Sequence, residues 1–286
     1  MRINGEKAIE MNRRDTLVQN ILERLEDESE AIRKSFADGH RGTPTRFCAI
    51  DDLLPQAVAE EIYEAFPRDG EGFLTRKSFR EHKRTSFDFD ALPDILADIT
   101  FALQSQAVVD KVGDLIGMEA LEPDPHLYAG GLSMMFEGDF LNPHIDNSHE
   151  KTKTKYRRLN LLYYVSPGWK EEFGANLELW DPDVTTPVTI ESRFNRLVLM
   201  ETNKVSWHSV SPGKVDRPRC CVSNYYFSEK SPDGDDYYHV TSFTGRPDQP
   251  IRRMVGRVDN VARTVVRKAG VGRKTDAGYE GDKAGM

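Results

Sequence analysis

His144-Ile145-Asp146, followed much later by His208 and then Arg219, are the residues of this 286-residue chain whose types and order could do chemistry. In an extended segment, residues i and i+2 point to the same side, so His144 and Asp146 can face one cavity. Pro143 fixes the backbone just before them. Two imidazoles and one carboxylate can hold one face of a ferrous ion and leave its other positions open. The imidazoles must be neutral and the carboxylate ionised, so such binding weakens in acid. Arg219 then suits the far end of a dicarboxylate, because a guanidinium grips a carboxylate through two parallel hydrogen bonds.

Each of these residues has an ordinary alternative. A lone histidine is usually a surface or hydrogen-bonded residue, and an H-x-D triplet arises by chance in many chains. The order of the features is what raises its weight. His149 competes for the metal but lies in a polar stretch leading to KTKTK and reads as loop, while His126 and His239 have no partners at useful spacing. Arg217 rivals Arg219 and has the same strand parity, but Pro218 stands between them and the strand begins afterwards. Either arginine could be a solvated strand-edge charge. Cys220 and Cys221 are adjacent, point to opposite faces of a strand, and read as packing residues. Tyr163, Tyr164, Tyr225 and Tyr226 read as core aromatics.

The elements that must position these groups change type along the chain. Residues 14–38 read as a helix, with Leu17, Val18, Ile21, Leu22 and Leu25 at three- and four-residue spacing. The segment 39–44 breaks it, Phe47–Ile50 is a strand, and 55–66 is a helix with Pro55 near its start and Pro67 at its end. Residues 68–88 are polar and read as a surface loop, and 93–117 read as a further helical region. From about 126 onward, short apolar, β-prone runs are punctuated by glycine and proline: His126–Tyr128, Leu132–Phe136, Leu159–Val165, Ala175–Trp180, Val188–Ile190, Arg196–Met200 and Cys220–Phe227. Many short strands separated by turns imply a sandwich or jelly roll. Helices first and strands second give an α+β protein with helices packed on one sheet face. Residues 251–268 form a basic amphipathic helix in an otherwise acidic chain. Its valine face would ordinarily pack on the domain, and a weak anionic partner is the other reading of its arginines.

Bulk composition sets limits. Hydrophobic residues make up 38% and charged residues 30%, the net charge is −8, and there are three cysteines. No apolar run is long enough for a membrane span, and the N-terminus lacks the apolar stretch of a secretory signal. The negative charge argues against a nucleic-acid partner. An odd cysteine count with two neighbours argues against a disulfide framework. A cytoplasmic location is expected.

The segment GDFLNPHIDNS resembles the G-x-x-L-x-x-H-x-D stretch of the 2-oxoglutarate- and Fe(II)-dependent oxygenases, in their prolyl 4-hydroxylase-like branch. RRLNLLYYVSPGW resembles the next core strand, and FGANLELW the G-G-x-L-x-L strand, with Ala175 where the second glycine is usual. RLVLMETNKVSWHSVSP resembles the strand and turn with the distal histidine, and RPRCCVSNYYFS the last strand with its basic residue. The opening RFCAIDDLLPQAVAEEIYEAFP is also similar to the way many of these proteins begin.

The resemblance implies a double-stranded β-helix (jelly roll) core over about 126–228, braced by N-terminal helices. It divides the chain into a helical extension over 1–45, a dioxygenase domain over 46–245, and a basic helix and tail over 246–286. It makes His144, Asp146 and His208 the iron ligands and Arg219 the partner of the distal carboxylate of 2-oxoglutarate. Tyr128 and Asn160 would line the cosubstrate pocket. It implies Fe(II), 2-oxoglutarate and O2, with ascorbate as a further reductant, and release of succinate and CO2 as a substrate C–H bond is hydroxylated. The substrate would be a small metabolite, a sugar, or an amino-acid or peptidyl side chain. Related halogenases lack the carboxylate, so Asp146 favours hydroxylation. The competing reading is a non-catalytic metal- and 2-oxoglutarate-binding sensor or scaffold.

Overall fold

Leu17, Ile21 and Leu25 recur every four residues and bury one stripe of α1 (Arg13–Asp27), which Asn12 caps by accepting the Asp15 N–H at 3.0 Å. The computed structural model describes residues 12–38, 42–128, 130–251 and 253. A four-residue repeat drifts about 40° per step around a helix of 3.6 residues per turn. The helix expected over 14–38 is accordingly two: the chain turns at Glu28, and α2 (Ser29–Asp38) buries Ile32 and Phe36. β1 (Phe47–Ile50) and α3 (Gln56–Glu64, with Pro55 at its N-cap) lie where the pattern puts them.

The helical region 93–117 is also two helices, α4 (Asp94–Ala102) and α5 (Gln106–Ile116). At the break, the Gln104 amide donates to Asn224 Oδ1 and accepts the Asp124 N–H, each at 2.7 Å, which ties the corner to the sheet.

The strands are β2 (Leu74–Lys77), β3 (Glu81–Ser86), β4 (Gly131–Met135), β5 (Phe140–Ile145), β6 (Tyr156–Tyr164), β7 (Leu177–Trp180), β8 (Pro187–Ile190), β9 (Arg196–Glu201), β10 (His208–Val210), β11 (Arg219–Ser228) and β12 (Ser242–Phe243). Their order is β1-β9-β6-β11-β4-β3-β5-β10-β7-β8, with β12 on β5 and β2 on β3, and every pairing is antiparallel. The sheet curls into the jelly roll of an α+β protein.

Two further expectations fail. The polar segment 68–88 is a hairpin, not a loop, and its second strand bridges β4 and β5. Residues 126–128 form a turn rather than a strand, with Leu127 at φ +47° and the Tyr128 N–H donated to the Asp124 carboxylate.

Strand alternation divides the core in two. Leu159, Leu161 and Tyr163 of β6, with Cys220, Val222 and Tyr226 of β11, pack against the helices. Leu162, Tyr164 and Cys221 point inside the roll, toward Leu177, Leu179, Val198 and Met200. Cys220 and Cys221 therefore pack on opposite faces. Among the described residues, no helix is long and apolar enough to cross a membrane. The basic helix over 251–268, apart from Ile251 and Arg253, falls outside the described residues.

Candidate metal and cosubstrate site

His144 and His208 face each other across the β5–β10 ladder, where they are paired residues. The ladder shifts register between His208 and Val210, an irregularity of the kind that re-aims side chains beside active sites. Asp146 follows immediately after β5. Its Oδ1 lies 3.5 Å from His144 Nε2 and its Oδ2 lies 3.5 Å from His208 Nε2. One donor atom from each of the three lies within 4.8 Å of the others.

The other nitrogen of each ring is already committed. His144 Nδ1 sits 3.0 Å from the Asn142 carbonyl and His208 Nδ1 2.9 Å from the Ser206 carbonyl. A backbone carbonyl only accepts, so each Nδ1 carries the proton and each Nε2 presents a lone pair to the shared space. This is the tautomer and orientation that a metal requires.

Electrostatics points the same way. Burial alone would raise the Asp146 carboxyl, but the charge of the Arg157 guanidinium beside it outweighs burial and holds the group well below the usual carboxylate range. Burial, then the neighbouring His144, pushes the His208 imidazole down to about 4. An ionised carboxylate and a neutral imidazole are the ligand forms an Fe(II) ion binds. Nothing in the sequence pointed to Arg157. It is 2% exposed, with Nη1 3.1 Å from Asp146 Oδ2 and Nη2 donating to Asn147 Oδ1 at 2.9 Å. Asn160, expected beside the cosubstrate, donates through Nδ2 to Asp146 Oδ2 at 2.8 Å, while its Oδ1 has no partner among the described residues.

Arg219, at the start of β11, is 3% exposed. It donates from Nε to the Ala175 carbonyl at 3.2 Å, from Nη1 to Ser133 Oγ at 3.4 Å and from Nη2 to Met135 Sδ at 2.8 Å. Among the described residues, no carboxylate pairs with it. A buried cation without a counterion is costly, and this one fits an anion brought from outside. Arg217 lies off the strand, donates to the Pro167 carbonyl at 2.6 Å, and packs on Trp169 and Phe173. Tyr128 is 38% exposed, and its backbone N–H is held by Asp124. His149 is not in the cluster; its Nδ1 pairs with Ser148 Oγ at 2.7 Å and its ring packs on Tyr156 and Tyr238. A cleft opens beside Asp146, with Arg157, Thr202, Tyr237 and His239 among its walls. His239 stands in a loop with no motif, and no sequence signal marked it.

Residues 130–227 match the model of the 2OG-Fe(II) oxygenase superfamily. Among solved structures, the chain is similar to a prolyl-4-hydroxylase from Pseudomonas putida (16% identity, 69% of this chain and 98% of that one, TM-score 0.51). It is also similar to a prolyl 4-hydroxylase from Phytophthora capsici (17%, 91% and 81%, 0.50) and to the non-heme alpha ketoglutarate dependent epimerase SnoN from nogalamycin biosynthesis (14%, 76% and 86%, 0.50). A search of the curated proteins gives no match. The family match covers about a third of the chain, and the fold is that of the prolyl 4-hydroxylase-like branch of these oxygenases.

Proposed function

We propose that this protein is a 2-oxoglutarate- and Fe(II)-dependent oxygenase that hydroxylates an unactivated C–H bond of its substrate, with His144, Asp146 and His208 as the iron ligands and Arg219 as the anchor of 2-oxoglutarate. The observation that carries the reading is the convergence of two lone-pair-bearing Nε2 atoms on one ionised carboxylate. When bound, Fe(II) with 2-oxoglutarate and O2 supplies oxidative decarboxylation to succinate and CO2, coupled to oxidation of the C–H bond. The chain supplies position and charge. The Asn142 and Ser206 carbonyls fix the two rings. Arg157 and Asn160 hold Asp146 ionised and turned toward them. The Arg219 guanidinium receives the distal carboxylate in a buried site, where a bidentate ion pair is strong. The presence of Asp146 leaves no ligand position for halide in place of a carboxylate, which favours hydroxylation over halogenation.

The fold does not choose the substrate, since a prolyl 4-hydroxylase and an epimerase share it. A small metabolite, a sugar and an amino-acid or peptidyl side chain all remain within this proposal. The test is reconstitution with Fe(II) and 2-oxoglutarate under anaerobic conditions, followed by admission of O2. Wild type should form succinate even without substrate, and His144→Ala should lose Fe(II) binding and succinate formation together. Equal succinate from the two proteins removes His144 from the site.

A further inference from the structure

The cleft beside Asp146 contains three polar atoms that the protein itself leaves unanswered. Thr202 is 4% exposed, and its hydroxyl has no hydrogen-bond partner among the described residues; the same holds for the buried His239 Nε2 and Arg157 Nε. Buried polar atoms are nearly always paired, and an unpaired one is costly. Three on the walls of one cleft, beside a carboxylate that faces both histidines, indicate a partner that arrives with a ligand.

The charges around the cleft are already spent. The Arg157 charge is balanced by Asp146, with Nη2 donating to Asn147, Nε left without a partner among the described residues, and the guanidinium over the Tyr225 ring at 4.0 Å. Lys204, which covers the Tyr237 ring at 4.4 Å, donates to both carboxylate oxygens of Asp235 at 3.0 Å. An ionic ligand group would find each of these charges already balanced by a carboxylate, whereas an uncharged one needs no counter-charge and its oxygen can still accept from the Arg157 Nε–H. A hydroxyl both donates and accepts, so it can satisfy a threonine hydroxyl and either tautomer of an imidazole nitrogen.

We propose that Thr202 and His239 form the substrate anchor of this enzyme, and that the group they take is an uncharged hydroxyl of a polyol- or sugar-like molecule. This rests on the oxygenase reading above. It gives the site an orientation: the hydroxyl is held on the Asp146 side, and the C–H bond to be oxidised is presented from there toward the metal ligands.

The test uses the full chain loaded with Fe(II) and 2-oxoglutarate. The uncharged probes are myo-inositol, D-glucose and D-sorbitol; glucose 6-phosphate and an Ala-Pro-Gly peptide are the comparison. Binding is read by saturation-transfer NMR without O2, and turnover by succinate formed above the substrate-free rate. At least one uncharged probe should bind and stimulate turnover. Thr202→Val and His239→Phe should each raise its KM about tenfold or more with kcat changed less than threefold, and Thr202→Ser should restore the wild-type KM. Melting curves identify a variant that has merely lost its fold, and the Thr202→Ser rescue then decides. The inference is overturned if no uncharged probe binds, if the phosphate or the peptide is preferred, or if KM is the same in both variants. Wild type that forms succinate while failing this test sinks the anchor alone; wild type that forms none sinks the oxygenase reading beneath it.

Discussion

Arg219 is the residue on which the cosubstrate assignment turns. Its three protein partners are a carbonyl, a hydroxyl and a thioether, so its charge is solvated but not neutralised by the described residues. A lysine would keep the charge and lose the planar fork. Losing one charge-assisted hydrogen bond costs about 1.5–3 kcal/mol, which is roughly 10- to 100-fold in affinity. Arg219→Lys should therefore raise the KM for 2-oxoglutarate by about that factor with a much smaller change in kcat, read from succinate formation against 2-oxoglutarate concentration. An unchanged KM would return the role to Arg217. His149 makes a prediction of a different kind. Burial against Tyr156 and Tyr238 pushes its imidazole below the ordinary value, and Glu150 and Asp236 only partly offset this. The unfolded chain therefore takes up this proton at a higher pH than the folded one. Stability from this group is complete above the ordinary histidine value of 6.5 and falls as the pH drops below it. His149→Phe should flatten the decline of melting temperature between about pH 6.5 and 5, a window set by the ordinary histidine range. An unaltered slope would show that His149 contributes none of the acid sensitivity.

At the scale of elements, what could be read in the sequence was whatever an apolar period marks. β6, β9 and β11 are apolar runs buried on both faces, so their existence could be read, while Arg219 was preferred to Arg217 of the same parity because the strand begins after Pro218. β2 and β3 carry Arg, Lys, Glu, His and Thr on both faces; their neighbours in the sheet, not an apolar face, make them strands. β10 is three residues long, below any periodic signal, and only the need for a second histidine strand pointed to it. Arg157 was missed because its role depends on a carboxylate brought to it by a separate strand. Ala175 is a departure from the family pattern that now has a physical reading. It sits at φ +51°, in the left-handed region, while its N–H donates to Ser211 and its carbonyl accepts from Arg219. A methyl group is strained there and a glycine is not. Ala175→Gly should gain about 1 kcal/mol, a rise of roughly 2–4 °C in melting temperature for a domain of this size. A lower melting temperature would mean that the packing of the buried methyl outweighs the torsional relief.

Across the whole molecule, the chain beyond β11 returns to hold both histidine strands. β12 pairs with β5, and Phe243 stacks on His144 with ring centroids 5.0 Å apart. Arg246, 9% exposed, meets Glu178 of β7 at 3.1 and 2.6 Å and also donates to Ser209 Oγ and the Val210 carbonyl. Ser209 donates to Glu178 at 2.5 Å and accepts from the Trp180 indole at 2.8 Å. It is the neighbour of His208 and faces the opposite side of β10, so the Arg246 cluster clamps the strand that presents the distal histidine. Removing one partner of a buried ion pair strands the other, at a cost of about 3–5 kcal/mol, whereas replacing both with apolar groups is often nearly neutral. Arg246→Met should therefore lower the melting temperature by roughly 10 °C, at about 2–4 °C per kcal/mol, and adding Glu178→Leu should recover most of that loss. If the clamp holds His208 in register, Arg246→Met should also weaken Co(II) binding in the absence of 2-oxoglutarate, and the double variant should restore it. A double variant as unstable as the single one would mean that the arginine acts through its bonds to Ser209 and Val210 rather than through the ion pair. Metal affinity that ignores both changes would detach the clamp from the site.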